Sequence, residues 1–364
     1  MKRLLCIVSS MDRGGAETFL MKLYRTLDTS KYQMDFCVSK TEKGYYDDEI
    51  RKLGGKIFTV SQKSKNPIKS FLEVKKIVKE NKYESVLRTS QQSLATLDLL
   101  AAKLGGANKL IYRSSNAGVT GGKVSILINN LFSFLPKIVP NVKLAPSTEA
   151  AIFVFGKKAV KNNKVQIIHN GLDYEQFRFN KGTREKIRKE LGVENKILFG
   201  HVGRFNIQKN HEFLLDIFNE IHKKNQETEL ILIGEGELKK EIETKIEKLN
   251  LQESVKLLGP KGNVNEYLMA MDLMIFPSFF EGMPNVIIEA QATGLPCIVS
   301  DTITKEANIT GIVKYINLDK SPEYWADISI EKLQTDRKDY YKDFCDKNYC
   351  IKDICNIACE IFFN

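Results

Sequence analysis

The sequence predicts an α/β protein made of two doubly wound parallel sheets. Three observations carry this prediction. Short β-branched runs alternate with amphipathic helical stretches, the pattern of parallel strands joined by crossover helices and buried on both faces. The alternation starts twice, at RLLCIVSS and again at KILFGHVGR. A length of 364 residues also exceeds what one hydrophobic core ordinarily holds, so two domains are expected.

In the first series, RLLCIVSS reads as a strand that turns at Gly14-Gly15 into the helix AETFLMKLYRTLD. The strands MDFCVS, KIFTV, SVLRTS and KLIYRS follow, separated by helical stretches such as SFLEVKKIVKEN and LATLDLLAAKLG. In the second series KILFGHVGR leads to HEFLLDIFNEIHKK, then to ELILIGEG, ELKKEIETKIEKLN, VKLLG, NVNEYLMAM, LMIFPS and NVIIEAQATG. The intervening NGLDYEQFRFNKGTREK is polar and lacks strand character. Domains are therefore expected at residues 1–170 and 171–340, with 341–364 as a C-terminal helix. The chain has neither a tandem repeat nor a low-complexity tract.

Apolar residues make up 43% of the chain and charged residues 27%, as in soluble globular proteins. No apolar run reaches the ~18 residues that a membrane-spanning helix needs. MKRLLCIVSSMDRGG has too short an apolar stretch for a signal peptide and meets Asp12-Arg13 without a small-residue cleavage site, so a buried strand and a cytoplasmic protein are expected. Seven cysteines without paired spacing argue against a disulfide framework. Cys345, Cys350, Cys355 and Cys359 suit one side of a helix better than a zinc knuckle, and packing is their expected role. Residues 1–180 hold 30 Lys and Arg against 15 Asp and Glu, a net +15, whereas residues 181–364 carry −5. A basic half suits an anionic partner.

Ligands of open α/β sheets sit beyond the carboxyl ends of the strands, near helix N-termini, so residues just after each strand are the informative ones. GGAE at 14–17 gives two glycines whose N–H groups can approach a phosphate. Neither it nor Gly234-Glu235-Gly236 has the third glycine of a dinucleotide fingerprint. GRFNIQKN at 203–210 sets Arg204 and Lys209 at a strand end, where two cations would neutralise a diphosphate leaving group. FFEGMPNVIIEA at 279–290 puts Glu281 in the loop and Glu289 about one and a half turns into a helix whose first turn accommodates Pro284. Carboxylates accept paired hydrogen bonds and so suit vicinal diols.

Taken with IGEGE, LLGPKGNV and FFEGMPNVIIEAQATGLP, these segments resemble the family 4 retaining glycosyltransferases of GT-B fold, over nearly the whole chain and in the same order. The sequence is most similar to enzymes that build bacterial capsule, exopolysaccharide or lipid-linked glycans. The resemblance implies two Rossmann-like domains facing across a cleft, the first binding acceptor and the second a nucleotide sugar, with the C-terminal helix crossing back to the first domain. It implies that Arg204 and Lys209 bind the donor diphosphate with the backbone of Gly14 and Gly15. Glu281 and the N–H groups of Gly282 and Met283 would face the sugar, and Glu289 the ribose. Asn285 and Val286 would lie beside the diphosphate, while Glu235 and the Asn263-Val264 backbone would border the base.

The implied chemistry is a retaining, metal-free transfer of a hexosyl or N-acetylhexosaminyl unit, with no cofactor beyond the donor, a UDP-sugar. The leaving phosphate helps deprotonate a lipid-linked or glycan acceptor. The absence of any Asp-x-Asp agrees with a site that seats no divalent ion. Members of the family commonly carry a histidine after the strand that here reads KLIYRSSNAG, yet this chain has none before His169. Arg113, Ser115 or Asn116 stand in its place as contacts for sugar hydroxyls or a phosphate.

VSILINNLFSFLPKIVP at 124–140, framed by Lys123, Lys137 and Lys143, reads either as a core helix or as one lying on an anionic bilayer, with peripheral attachment to the inner face of the membrane. Nucleic acid is not an expected partner, because no stacking aromatics interleave with the lysines. Two other functions fit the fold: a noncatalytic GT-B subunit supporting a partner transferase, and an epimerase or phosphorylase acting on nucleotide sugars.

Overall fold

The structure, a computed structural model, describes residues 1–12, 14–115, 123–333 and 336–364. The chain divides into two compact units, Met1–Leu172 together with Asn348–Asn364, and Asp173–Lys347. The division falls at 172/173, where the sequence suggests 170/171, and the last helix belongs to the first unit.

The first unit carries a parallel sheet of seven strands, β1 (Lys2–Ile7), β2 (Tyr32–Val38), β3 (Ile57–Thr59), β4 (Ser85–Thr89), β5 (Lys109–Arg113), β6 (Val142–Ala145) and β7 (Gln166–Ile167), in the order β3-β2-β1-β4-β5-β6-β7. The period-two alternation of a strand appears directly in β1, because successive side chains leave opposite faces. Leu4 and Cys6 join Phe19, Leu20 and Leu23 of helix Gly15–Thr26 in one core layer. Leu5 and Ile7 join Val74, Val78 and Leu99 in the other.

The C-terminal helix Ile351–Phe363 completes the first of these layers through Ile354, Cys355, Ala358 and Phe362, and Phe363 stacks on Tyr32 with ring centroids 4.6 Å apart. Each large apolar side chain buried this way stabilises the unit by about 1.5–3 kcal/mol, so the helix is integral to the first core. The late cysteines do not share one helix as expected. Cys345 lies in helix Tyr341–Asp346 and Cys350 precedes the last helix, because Asn348 takes a left-handed φ of 56° that ends the earlier one. Cys345 and Cys350 are disulfide-bonded, which corrects the expectation of purely packing cysteines. Cys6, Cys37, Cys297, Cys355 and Cys359 are free thiols.

The second unit carries six parallel strands, β8 (Ile197–Val202), β9 (Thr228–Ile233), β10 (Val255–Gly259), β11 (Leu273–Phe276), β12 (Cys297–Ser300) and β13 (Val313–Ile316), ordered β10-β9-β8-β11-β12-β13. Each sheet reverses direction beside its first strand, at β1/β4 and at β8/β11. Such switch points open a crevice at the carboxyl ends of the strands. No helix among the described residues is long and apolar enough to cross a membrane.

Candidate active site

The two loops flanking the switch point of the second unit are stitched together. After β8 the chain forms a 3₁₀ turn, Ile207–Lys209, capped by the Asn206 side chain, which accepts from the Lys209 N–H at 3.2 Å. Asn210 then adopts φ 55° and helix His211–Lys224 begins. After β11 the chain runs through PSFFEGMP into helix Asn285–Ala292. The Phe279 N–H donates to the Gln208 carbonyl at 2.9 Å, Gln208 Nε2 to the Phe280 carbonyl at 2.8 Å, and Asn210 Nδ2 to the Pro277 carbonyl at 3.2 Å. Within this frame Lys209 Nζ donates to Glu281 Oε1 at 2.6 Å, their side chains only 15% and 10% exposed. The ammonium also lies 4.5 Å above the Phe276 ring.

Beneath Lys209 sit two buried histidines that no sequence motif singles out. His201, on β8, has its Nδ1 2.9 Å from the Ile275 carbonyl and stacks on Phe276; its ring centroid is 4.8 Å from that of His211. Burial pushes the His201 imidazole well below the usual histidine range. Burial, with the Lys209 charge adding to it, brings His211 down to about 4. Both rings are therefore neutral at pH 7 and leave Lys209 as the cation of this layer. Their positions, one in a strand and one opening a helix after the basic loop, are the signal that the sequence offers.

Arg204 takes a separate place. Gly234 has φ 146°, and a Cβ there would lie 2.0 Å from the Gly203 carbonyl oxygen. A Cβ on Gly236 would lie 2.3 Å from the Phe205 carbonyl oxygen. The two glycines thus let IGEGE lie backbone-to-backbone on GRF, joined by the Phe205 N–H to Glu235 carbonyl bond at 2.8 Å. The Arg204 side chain, 72% exposed, points outward 3.3 Å from Glu237 and lines an open cavity of about 700 Å³ with Glu235, Gly236 and Lys239. Lys209 and Arg204 share one loop but hold different carboxylates.

Pro284 occupies the N-cap of helix Asn285–Ala292, one place earlier than the first turn, and no side chain caps that helix. Asn285 and Val286 are its first residues, Glu289 is its fifth and half-buried, and Gly282 and Met283 are half-buried in the preceding loop. Asn263 is the N-cap of helix Val264–Ala270, its Nδ2 donating to Glu266 at 2.8 Å. Each of these second-unit residues follows the carboxyl end of one of the strands β8 to β11 in the chain.

In the first unit, Gly14 is the N-cap of helix Gly15–Thr26, which no side chain caps. A Cβ on Gly14 would lie 2.3 Å from Glu17 Oε2, and burial holds the Glu17 carboxyl above its ordinary range. Arg113 is not at an open surface. It is 1% exposed, donates to the Ile168 carbonyl at 3.1 Å and to Asn170 Oδ1 at 2.7 Å, and lies 3.7 Å over the Phe19 ring. Desolvation pulls it down to about 9. So placed, Arg113 positions the 168–170 segment and does not present itself to a ligand. Ser115 donates to Gln91 Oε1 at 2.6 Å, and Asn116 lies outside the described residues. His169 falls in this unit, with Nδ1 3.0 Å from the Pro146 carbonyl.

Comparison with known proteins decides the family. Residues 183–342 match the glycosyl transferases group 1 family. The putative glycosyltransferase EpsF of Bacillus subtilis (strain 168) is 34% identical over 336 residues, covering 90% of this chain and 86% of that protein. The chain belongs to the group 1 glycosyltransferases. It is a family 4 glycosyltransferase of GT-B fold. This transferase is also 30% identical over 272 residues to the Escherichia coli UDP-Gal:α-D-GlcNAc-diphosphoundecaprenol α-1,3-galactosyltransferase, covering 71% of this chain and 68% of that one. The fold matches Anabaena HepE, solved in complex with UDP-glucose, with a TM-score of 0.73 and 18% identity over 100% of this chain and 96% of that one.

Proposed function

We propose that this transferase moves a hexosyl or N-acetylhexosaminyl unit from a UDP-sugar to a lipid-linked or glycan acceptor during surface polysaccharide synthesis, with retention and without a metal ion. The observation that carries the reading is the Lys209–Glu281 pair on loops zipped together at the β8/β11 switch point. Lys209 and Arg204 supply positive charge where the diphosphate gains negative charge as the glycosidic bond breaks, and preorganised charge of this kind is usually the main source of rate enhancement. Glu281 and the N–H groups of Gly282 and Met283 orient the sugar, and Glu289 takes the ribose hydroxyls. The uncapped start of helix Asn285–Ala292, with Asn285 and Val286, faces the diphosphate. Glu235 and the Asn263-Val264 backbone border the base. The departing phosphate accepts the proton of the acceptor hydroxyl, so the site needs no protein base. UDP-glucose in HepE and a diphosphoundecaprenol acceptor in the Escherichia coli relative support the donor and acceptor classes.

A second reading, a noncatalytic subunit supporting a partner transferase, is favoured by the absence of any histidine before His169. Release of UDP from a panel of UDP-sugars separates the two. Slow hydrolysis of one donor is the expected result. Selective stabilisation by a donor in thermal shift, with no UDP formed even when lipid-linked acceptor is supplied, would favour the subunit.

Peripheral attachment to the inner face of the membrane belongs to the same proposal. Helix Lys123–Leu131 turns the polar Asn129 inward, where it accepts from the Ser93 N–H at 2.7 Å, and leaves Leu127 71% and Leu131 68% exposed. Phe134 and Ile138 extend the exposed apolar patch beside Lys137. An apolar face next to basic residues suits an anionic bilayer surface. The protein is expected to sediment with anionic vesicles, more weakly at high salt, and Leu127→Glu with Leu131→Glu should abolish sedimentation. Equal recovery of wild type and double variant in the pellet would remove this part of the proposal.

A further inference from the structure

The first unit contains a chamber of about 540 Å³ at the carboxyl ends of β1 to β4, walled on the other side by the start of helix Pro67–Asn81 and by residues 92–98. It opens at the β1/β4 switch point, where Ile7 and Arg88 are register partners and both line it. In an open parallel sheet this is where a ligand is expected.

Its charges do not balance. Arg88, 8% exposed, holds its Nε 2.9 Å from Asp98 Oδ2, and the Lys63 ammonium bonds to the same carboxylate. Arg88 is fixed further by Nη1, which donates to the Ile7 and Thr89 carbonyls at 2.9 and 3.0 Å. One buried carboxylate therefore faces two cations. Lys40 stands at the rim, where Asp12 pairs with it at 3.3 Å, so the surplus is one positive charge. Glu17 and Glu73, the other nearby acids, are not among the described residues that line the chamber. Burial accordingly pushes Lys63 below the ordinary lysine range. The wall also holds Ser70, 1% exposed, whose hydroxyl has no hydrogen-bond partner among the described residues. A buried hydroxyl left unpaired is costly, and a ligand oxygen would satisfy it.

We propose that this chamber binds a phosphate group carried by the acceptor, held by Arg88, Lys63 and Lys40 and by the Ser70 hydroxyl. Arg88, Lys63 and the Ser70 hydroxyl supply more donors than the two oxygens of Asp98 can accept, and the one positive charge left over favours an anionic group such as a phosphate. That the phosphate belongs to the acceptor rests on the transferase reading, in which the donor diphosphate goes to Arg204 and Lys209. The binding of phosphate itself does not depend on that reading.

Calorimetric titration of the full chain tests the proposal with inorganic phosphate, a hexose 1-phosphate, a hexuronate, a neutral methyl hexoside and UDP. The hexose 1-phosphate should bind, inorganic phosphate more weakly, and the methyl hexoside not detectably. Lys63→Met and Ser70→Ala should each weaken hexose 1-phosphate by roughly tenfold or more. Lys43→Met, at an exposed lysine paired with Asp48 away from the chamber, should bind like wild type. Both test variants should fold: Asp98 keeps Arg88 when Lys63 is removed, and Ser70→Ala deletes only an unpaired hydroxyl.

Wild-type phosphate affinity in both folded variants would overturn the assignment, as would equal binding of hexuronate. Loss of UDP affinity in the same variants would also overturn it, by giving the chamber to the donor. Absence of UDP release from any UDP-sugar would sink the transferase reading and leave the phosphate titrations standing, so the two failures are distinguishable.

Discussion

Lys209→Ala should lower turnover of the preferred UDP-sugar by roughly 10²–10³-fold, the usual cost of deleting one preorganised charge from a transition-state site. The effect has two parts. The variant removes the cation that meets the developing charge on the leaving diphosphate. It also leaves Glu281, only 10% exposed, as an unopposed carboxylate beside the phosphates it should not repel. Glu281→Ala loses the sugar contact but keeps the ammonium, so the expected loss is smaller.

The 2.6 Å bond between the two groups makes their effects non-additive. The double variant should lose less activity than the two single losses combined, because deleting Glu281 relieves the repulsion that Lys209→Ala creates. The same logic applies to stability, and the double variant should unfold at a higher temperature than Lys209→Ala alone. Values of kcat/KM for UDP release in the three variants, together with thermal unfolding, check both statements. Turnover within a few-fold of wild type in Lys209→Ala, or strictly additive losses, would show that the pair is structural.

Much of this architecture is legible in the amino-acid sequence. The alternation of β-branched runs with amphipathic helices is enforced by burial on both sheet faces, so both sheets and their parallel sense can be read directly. The loops carrying Lys209 and Glu281 stand out because each follows an apolar run. That the two side chains meet cannot be read, since they lie 72 residues apart and touch only because β11 pairs with β8. Strand order is a property of the whole sheet, which no local pattern encodes.

Arg113 misleads for a different reason. An arginine ending KLIYR reads as a cation at a strand mouth, but the Ile168 carbonyl, Asn170 and Phe19, all distant in sequence, supply partners that let it be buried. The 124–140 segment is ambiguous because apolar periodicity says that a face exists and not which way it points. The orientation follows from Asn129 bonding inward to Ser93. His201 and His211 lack any flanking pattern, since their neutrality comes from burial, against Phe276 of β11 for the one and Phe205 for the other.

Gly234→Ala should be the most damaging single-atom addition in the second unit. Two distinct penalties meet there. A φ of 146° is rarely adopted by an L residue, and the added Cβ would lie 2.0 Å from the Gly203 carbonyl oxygen, a backbone atom that cannot rotate away. Strain of about 1–3 kcal/mol adds to about 1–3 kcal/mol of overpacking. At about 2–4 °C per kcal/mol for a unit of this size, its unfolding transition should fall by roughly 5–20 °C.

Two neighbouring glycines separate the penalties. Gly259→Ala, at φ 66° with nothing within 4 Å of the added atom, carries strain alone. Gly236→Ala, with its Cβ 2.3 Å from the Phe205 carbonyl oxygen and no positive φ, carries collision alone. The cost of Gly234→Ala should exceed either. Function should follow the collision, not the strain, because Gly203 and Phe205 bracket Arg204, and pushing IGEGE away from GRF breaks the Phe205 N–H to Glu235 carbonyl bond and displaces the guanidinium. Gly234→Ala and Gly236→Ala should therefore lose UDP affinity, while Gly259→Ala keeps it. If all three destabilise equally and bind UDP alike, the backbone contact between the two loops does not position Arg204.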